Sequence, residues 1–222
     1  MSVKYDDIFS EYDITKWGIQ FADDAEATLM DTLGTAEESM EVRTVTKNKR
    51  NMPWKTRTKA TGSGEVKVTA HIREDIYGEM FGMYVDGYKD GVMVYGSISV
   101  HNQFCMTETV EDEDGNIKLK AYPCCTVKEG MSRKVETNGE EIAEVELTVS
   151  VDPDPDGIGV YQVIVQEDTD PAMVDGWMKN FSNSLVKTAV EEEPGGEPGG
   201  ESGGEPGGET GGESGEESGQ TL

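Results

Sequence analysis

Between residues 144 and 151 the chain alternates without a break. Val145, Leu147, Val149 and Val151 fall on one side of an extended segment, and Glu144, Glu146, Thr148 and Ser150 fall on the other. A period of two is a strand's period, so this segment needs a dry face and a wet face, which a helix cannot provide. Phe104–Val110 and Ile117–Tyr122 repeat the theme around Glu111-Asp112-Glu113-Asp114-Gly115-Asn116. Gly and Asn tolerate positive φ, so this reads as a β-hairpin with an acidic turn. Asp152-Pro153-Asp154-Pro155-Asp156-Gly157 breaks the chain again before the apolar run Gly159–Val165. Glu65–Ile72 alternates as a further strand, and Val92–Val100 carries Val92, Val94, Gly96, Ile98 and Val100 on one face as another. A mainly β fold is the expectation.

Two segments switch to helical spacing. Over 73–83, Ile76, Met80 and Met83 share one face beside Tyr77 and Phe81, while Gly78 and Gly82 keep the helix short. Over 171–186, Met173, Val174, Trp177, Phe181 and Leu185 recur every three or four residues behind Asp170-Pro171, a good N-cap and N1 pair. This predicts a closing helix. Residues 1–40 scatter Ile8, Tyr12, Ile14, Trp17, Ile19 and Phe21 without a clean period and read as an N-terminal arm. Thr61-Gly62-Ser63-Gly64 reads as a turn.

Charge divides the 222 residues unevenly. The total is −26, from 45 acidic and 19 basic residues. The stretch 191–222 holds ten Glu, no basic residue and no aromatic one, in a Glu-Pro-Gly-Gly-like repeat. Nothing in it can be buried to offset its ordering entropy, so it is expected to be a disordered acidic tail, serving as an outward brush or as a solubilising extension. The β domain is expected at 41–190, and residues 1–190 still carry about −16. Such a balance disfavours nucleic acid as a ligand, because phosphate binding needs Lys and Arg.

Against that background stands one basic island. Arg43, Lys47, Lys49, Arg50, Lys55, Arg57 and Lys59 surround Met52-Pro53-Trp54 with no acid among them. The flanks Val42–Thr46 and Thr56–Ala60 are strand-like, so an extended basic loop or hairpin over 43–60 is predicted, with its tip at Lys49–Pro53. Three uses compete: a solvated hairpin, a nucleic-acid patch, or a protrusion that docks on the acidic body of another copy. Trp54 would anchor the third, since Trp and Arg dominate interface energetics.

Chemistry is sparse. The chain has no nucleophile elbow, phosphate loop, zinc-protease helix or dinucleotide fingerprint. His71 and His101 stand apart. The acidic turns Glu111–Asp114 and Asp152–Asp156 lack the spaced ligands and terminal Glu of a calcium loop. Cys105, Cys124 and Cys125 match no zinc spacing, and free thiols are expected in preference to a Cys105–Cys124 disulfide. No signal peptide or membrane span is read from the chain. Neither enzyme activity nor a cofactor is expected.

The segments EDEDGNIKLKAYPCCTVKEG and EEIAEVELTVSVDPDPDGIGVYQVIV, with KVTAHIREDIYGEMFGM before them, resemble the major tail (tail tube) proteins of long-tailed bacteriophages and prophages. The resemblance covers residues 40 to 180 and lies in the order of pieces. It implies a β-sandwich or barrel-like subunit with a flanking helix, six of which form a ring. Stacked rings would form a tube through which DNA leaves the virion without being specifically bound. A like-charged wall suits that passage, since no phosphate contact holds the cargo. In the family an extended loop bridges subunits and rings, and the basic segment sits at its place in the order. The resemblance further implies tape measure, terminator and initiator proteins as partners, assembly in the host cytoplasm and residence in the virion. The acidic tail is outside the family pattern. The alternative from another class is a monomeric β-sandwich binding module for a surface or carbohydrate.

Overall fold

A computed structural model describes residues 8–50, 52–135 and 144–188. The acidic tail expected at 191–222 lies outside the described residues, as do Asn51 at the hairpin tip and Ile142 and Ala143 before the long alternating strand. The strands are β1 Asp13–Phe21, β2 Thr28–Met30, β3 Leu33–Lys49, β4 Met52–Ala70, β5 Phe104–Glu111, β6 Ile117–Val127, β7 Val145–Asp152 and β8 Tyr161–Ile164. The helices are α1 Glu74–Met80, α2 Pro171–Trp177 and α3 Asn183–Val186.

All pairings are antiparallel and belong to one sheet in the order β2-β1-β5-β6-β7-β4-β3, with β8 beside the first half of β6. The sheet curls until the base of β3 lies alongside β1 without pairing to it, giving an open barrel. Alternation decides what fills it. Val145, Leu147, Val149 and Val151 turn inward as their spacing predicts, and meet Val66 and Val68, Met106, Tyr122, Cys125, and Trp17, Ile19 and Phe21. A second apolar cluster lies on the outer face, where Trp177 and Phe181 cover Leu119 and Ala121 of β6. Trp177 donates its Nε1–H to the Lys120 carbonyl at 3.1 Å, so its polar edge is satisfied while the ring is buried.

The predicted hairpin forms with Asp13–Phe21 added to its far side: Glu108 pairs Lys120 on one flank and Trp17 on the other. Its turn has a twin. Asp112 Oδ1 accepts from Asp114 and Asn116 N–H, and Asp154 Oδ1 accepts from Asp156 and Ile158 N–H. Gly115 and Gly157 take φ of 81° and 80° at matching places. Each aspartate therefore serves its own turn. Cys125 turns into the core while Cys124 faces the other way, as neighbours in a strand must, and all three cysteines are free.

Four expectations need correction. The 1–40 arm is not peripheral. Residues 13–21 form a strand inside the sheet, because Trp17, Ile19 and Phe21 bury one face while Gly18 lets the other pack tightly under Thr107. Thr61–Gly64 is no turn. β4 runs through it, and Thr61-Gly62-Ser63 bulge opposite the single residue Glu41, with Gly62 at φ 84°. Val92–Val100 is no strand but a chain of turns over α1, with Val94 N–H on the Met83 carbonyl and Asn102 N–H on the Met80 carbonyl. It has no neighbour to pair with. The closing helix expected at 171–186 is two helices. Asp170 caps α2 through the Ala172 N–H as expected, but the Lys179 carbonyl is taken by Ala27 N–H at 2.6 Å, and the helical ladder stops there.

Candidate functional site

The basic segment is a two-stranded ribbon. At its base β4 lies between β3 and β7, but β7 ends its pairing at Val151 opposite Gly64. Beyond that point, apart from a close approach of Gly62 to Gly157 and Gly159, β3 and β4 pair only with each other among the described residues, and every described residue from 41 to 60 is exposed. At a strand's rise of about 3.3 Å per residue, Met40 to Lys49 projects roughly 30 Å. The tip turns at Arg50, at φ 53° the one described non-glycine residue with positive φ. Two-residue hairpin turns demand that conformation, which any residue with a Cβ adopts at a cost.

Register sorts the ribbon into two faces. Val42, Thr44, Thr46, Thr56, Thr58 and Ala60 share one, with hydroxyl hydrogen bonds Thr44–Thr58 at 3.1 Å and Thr46–Thr56 at 3.2 Å. The other is cationic. Arg43 stands opposite Lys59, Val45 opposite Arg57, and Lys47 opposite Lys55. A register shift after Lys47 turns Trp54 toward that face, where the Lys47 and Lys49 ammonium groups each lie 5.7 Å from its ring centroid. Trp54 remains 60% exposed. Like charges directly across a strand pair repel, and among the described residues none of the seven cations has an ion-pair partner. An isolated two-stranded ribbon is at best marginal in water. Among the described residues the arrangement lacks a counter-surface.

A second polar site, which sequence reasoning missed, lies inside the barrel where β1 and β3 approach. Trp17, Glu108 and Lys120 form one row across β1, β5 and β6. Glu108 is 1% exposed and its Oε1 has no hydrogen-bond partner, nor does the neighbouring Trp17 Nε1. Lys120 Nζ reaches Glu11 at 2.9 Å and Glu38 at 3.5 Å, and Lys118 Nζ holds the other Glu11 oxygen at 2.9 Å. Tyr122 donates its hydroxyl to Glu38 at 3.1 Å. Burial pushes the Glu108 carboxyl up to about 7, with Lys120 partly opposing and Glu38 and Glu11 reinforcing. Burial works against the Lys120 ammonium, but Glu11 and Glu38 outweigh it and raise its pKa. A cavity of about 270 Å³ opens between these groups and the seam. The available signal was Glu108 on the otherwise apolar inward face of β5; it needed the pairing partner to become legible.

The other candidates do not converge on chemistry. His101 is held by the Val127 carbonyl at 2.7 Å and against the Phe81 ring, and His71 lies 4.0 Å from Glu144. Burial pushes the Cys105 thiol up to about 12, which leaves it protonated and a poor nucleophile.

These features describe a mainly β, single-sheet protein that carries a protruding cationic ribbon on an acidic body. No family model matches the chain, and no curated protein matches it. Among solved structures it is similar to the tube-terminating cap of the anti-feeding prophage, known from cryo-electron microscopy. That similarity has 11% identity and a TM-score of 0.44, over 74% of this chain and 100% of that one. At that depth the likeness assigns no function.

Proposed function

We propose that this protein is a structural subunit of a long-tailed phage or phage-derived tail, non-enzymatic, which self-assembles into stacked rings that form a tube. The observation that carries the reading is the ribbon. It projects beyond the sheet, opposes like charges and finds no acid among its described neighbours. Without its seven cations, residues 1–190 hold 35 acidic against 12 basic residues. A second copy of the same chain therefore offers the counter-charge that the ribbon lacks. Contact between one patch and a different patch of the next copy is heterologous, and it propagates into rings or filaments. The resemblance to tail tube proteins supports the reading through its order of strand, helix, acidic hairpin and long alternating strand, although the strand that it places between helix and hairpin is absent. In this reading the acidic surface lets DNA pass without holding it, and the subunit ends in the virion beside other tail proteins.

Negative-stain electron microscopy at rising concentration tests the proposal. Hollow tubes or rings are expected from the wild-type chain. The triple variant Lys49→Ala, Arg50→Ala, Trp54→Ala should keep its circular dichroism and melting temperature yet form no tubes. Unimpaired polymerisation of that variant would refute the ribbon's role.

A further inference from the structure

We infer that the cavity at the β1–β3 seam is the socket for a lysine or arginine of a second copy's ribbon. The inference rests on the self-assembly proposed above and adds to it the receiving site. Three observations meet here. The cavity is open at a place where the sheet fails to close: β1 shifts register between Ile14 and Lys16, and β3 runs past it unpaired. Its wall is acidic, with Glu11, Asp13, Glu38 and Glu108 around the ammonium of Lys120, and Lys118 reaching Glu11 from beside it. And Glu108, wholly buried, keeps one carboxylate oxygen without any partner.

A buried carboxylate oxygen without a hydrogen bond is rare in a finished fold, because the desolvation goes uncompensated. Among the described residues the free subunit thus holds an unpartnered acceptor, Glu108 Oε1, beside an unpartnered donor, Trp17 Nε1, while its ribbon holds cationic donors without acceptors. A guanidinium or ammonium entering the seam would lie beside the buried Glu108 carboxyl and offset the acid that the cavity's own lysines leave uncompensated. Lys120 opposes the Glu108 charge only in part, since Glu11 and Glu38 engage its ammonium. The volume accommodates one cationic head group together with a few waters, each of which takes about 30 Å³ in the liquid. Tyr12, 79% exposed at the mouth, marks the way in.

A photo-crosslinking amino acid at Tyr12 of the full chain tests this, using a mixture of ¹⁴N- and ¹⁵N-labelled protein so that bonds between copies are identified by mass. If tubes form, mixed-isotope crosslinks from position 12 to peptides within residues 43–59 are expected. The double variant Asp13→Asn, Glu108→Gln should then raise the critical concentration for tubes about tenfold or more, as loss of one partner of a buried charge pair does. Tubes whose crosslinks fall elsewhere, or whose critical concentration is unmoved by the double variant, would overturn the socket and leave self-assembly standing. A chain that forms no ring or tube at any concentration would overturn both.

Discussion

Glu108 is the residue at which the fold departs most from its own pattern. Phe104, Met106 and Val110 occupy the same inward face of β5 and are buried, the first two within the apolar core, whereas Glu108 carries a carboxyl into that interior. Burial raises its pKa from 4.5 to about 7. A carboxyl with a folded pKa above its unfolded value binds an extra proton in the folded state between the two. Its contribution to stability therefore falls as pH rises from about 4.5 through about 7, and the penalty persists above that. Glu108→Gln should change little near pH 4.5 and stabilise the monomer at pH 8 by up to about 3 kcal/mol, since each tenfold change in proton affinity is worth about 1.36 kcal/mol. Urea unfolding of both proteins at the two pH values, below the concentration of assembly, measures this. A difference that does not vary with pH would show that the carboxyl titrates normally.

Among the elements, the short α1 and the turns that follow it illustrate how one backbone contact replaces a strand. Gly82 ends α1 at φ 59°, and a Cβ there would sit 1.9 Å from the Val100 carbonyl oxygen. Gly87, at φ 94°, has open space around it. Gly87→Ala should cost about 1–2 kcal/mol for the unfavourable backbone alone. Gly82→Ala should cost clearly more, because the 83–103 segment must also lift off the helix. Thermal unfolding of the two variants compares them, and equal losses would show that the close approach is not maintained in solution. The same segment leaves Tyr84, Tyr88, Ile98 and Val100 exposed. Its alternation therefore does not mark a buried face.

At the scale of the whole molecule, the separation of charge is the dominant fact. Among the described residues the ribbon's cations make no ion pair with the acidic body, so their attraction is free to act between copies and through solvent. Screening length falls from about 10 Å at 0.1 M salt to about 3 Å at 1 M. Tube formation should weaken over that range if the ribbon docks on acid, as measured by sedimentation or turbidity. Reversing charge at Lys47 and Arg57, both central to the cationic face, should abolish assembly at low salt without lowering the melting temperature. Assembly that strengthens with salt would instead assign the contact to the threonine and valine face.

Elements that depend on local spacing were legible from the order of residues. The alternation of Val145 to Val151, the hairpin around Asp112, the cap at Asp170 and the long basic hairpin all follow from side-chain period and turn chemistry, which act within a few residues. Contacts between distant segments settled the rest. Asp13–Phe21 became a strand of the sheet because β5 offered it an edge, and Val92–Val100 stayed irregular because nothing did. The helix after Asp170 broke where the β1–β2 turn claimed the Lys179 carbonyl. The cationic ribbon was legible as composition, but its two faces were not, since a register shift near its tip sets which side Trp54 takes. The acidic cavity was not legible at all. Glu11 and Glu38 are far along the chain from the Glu108–Lys120 hairpin pair, and only the curl of one sheet brings them together.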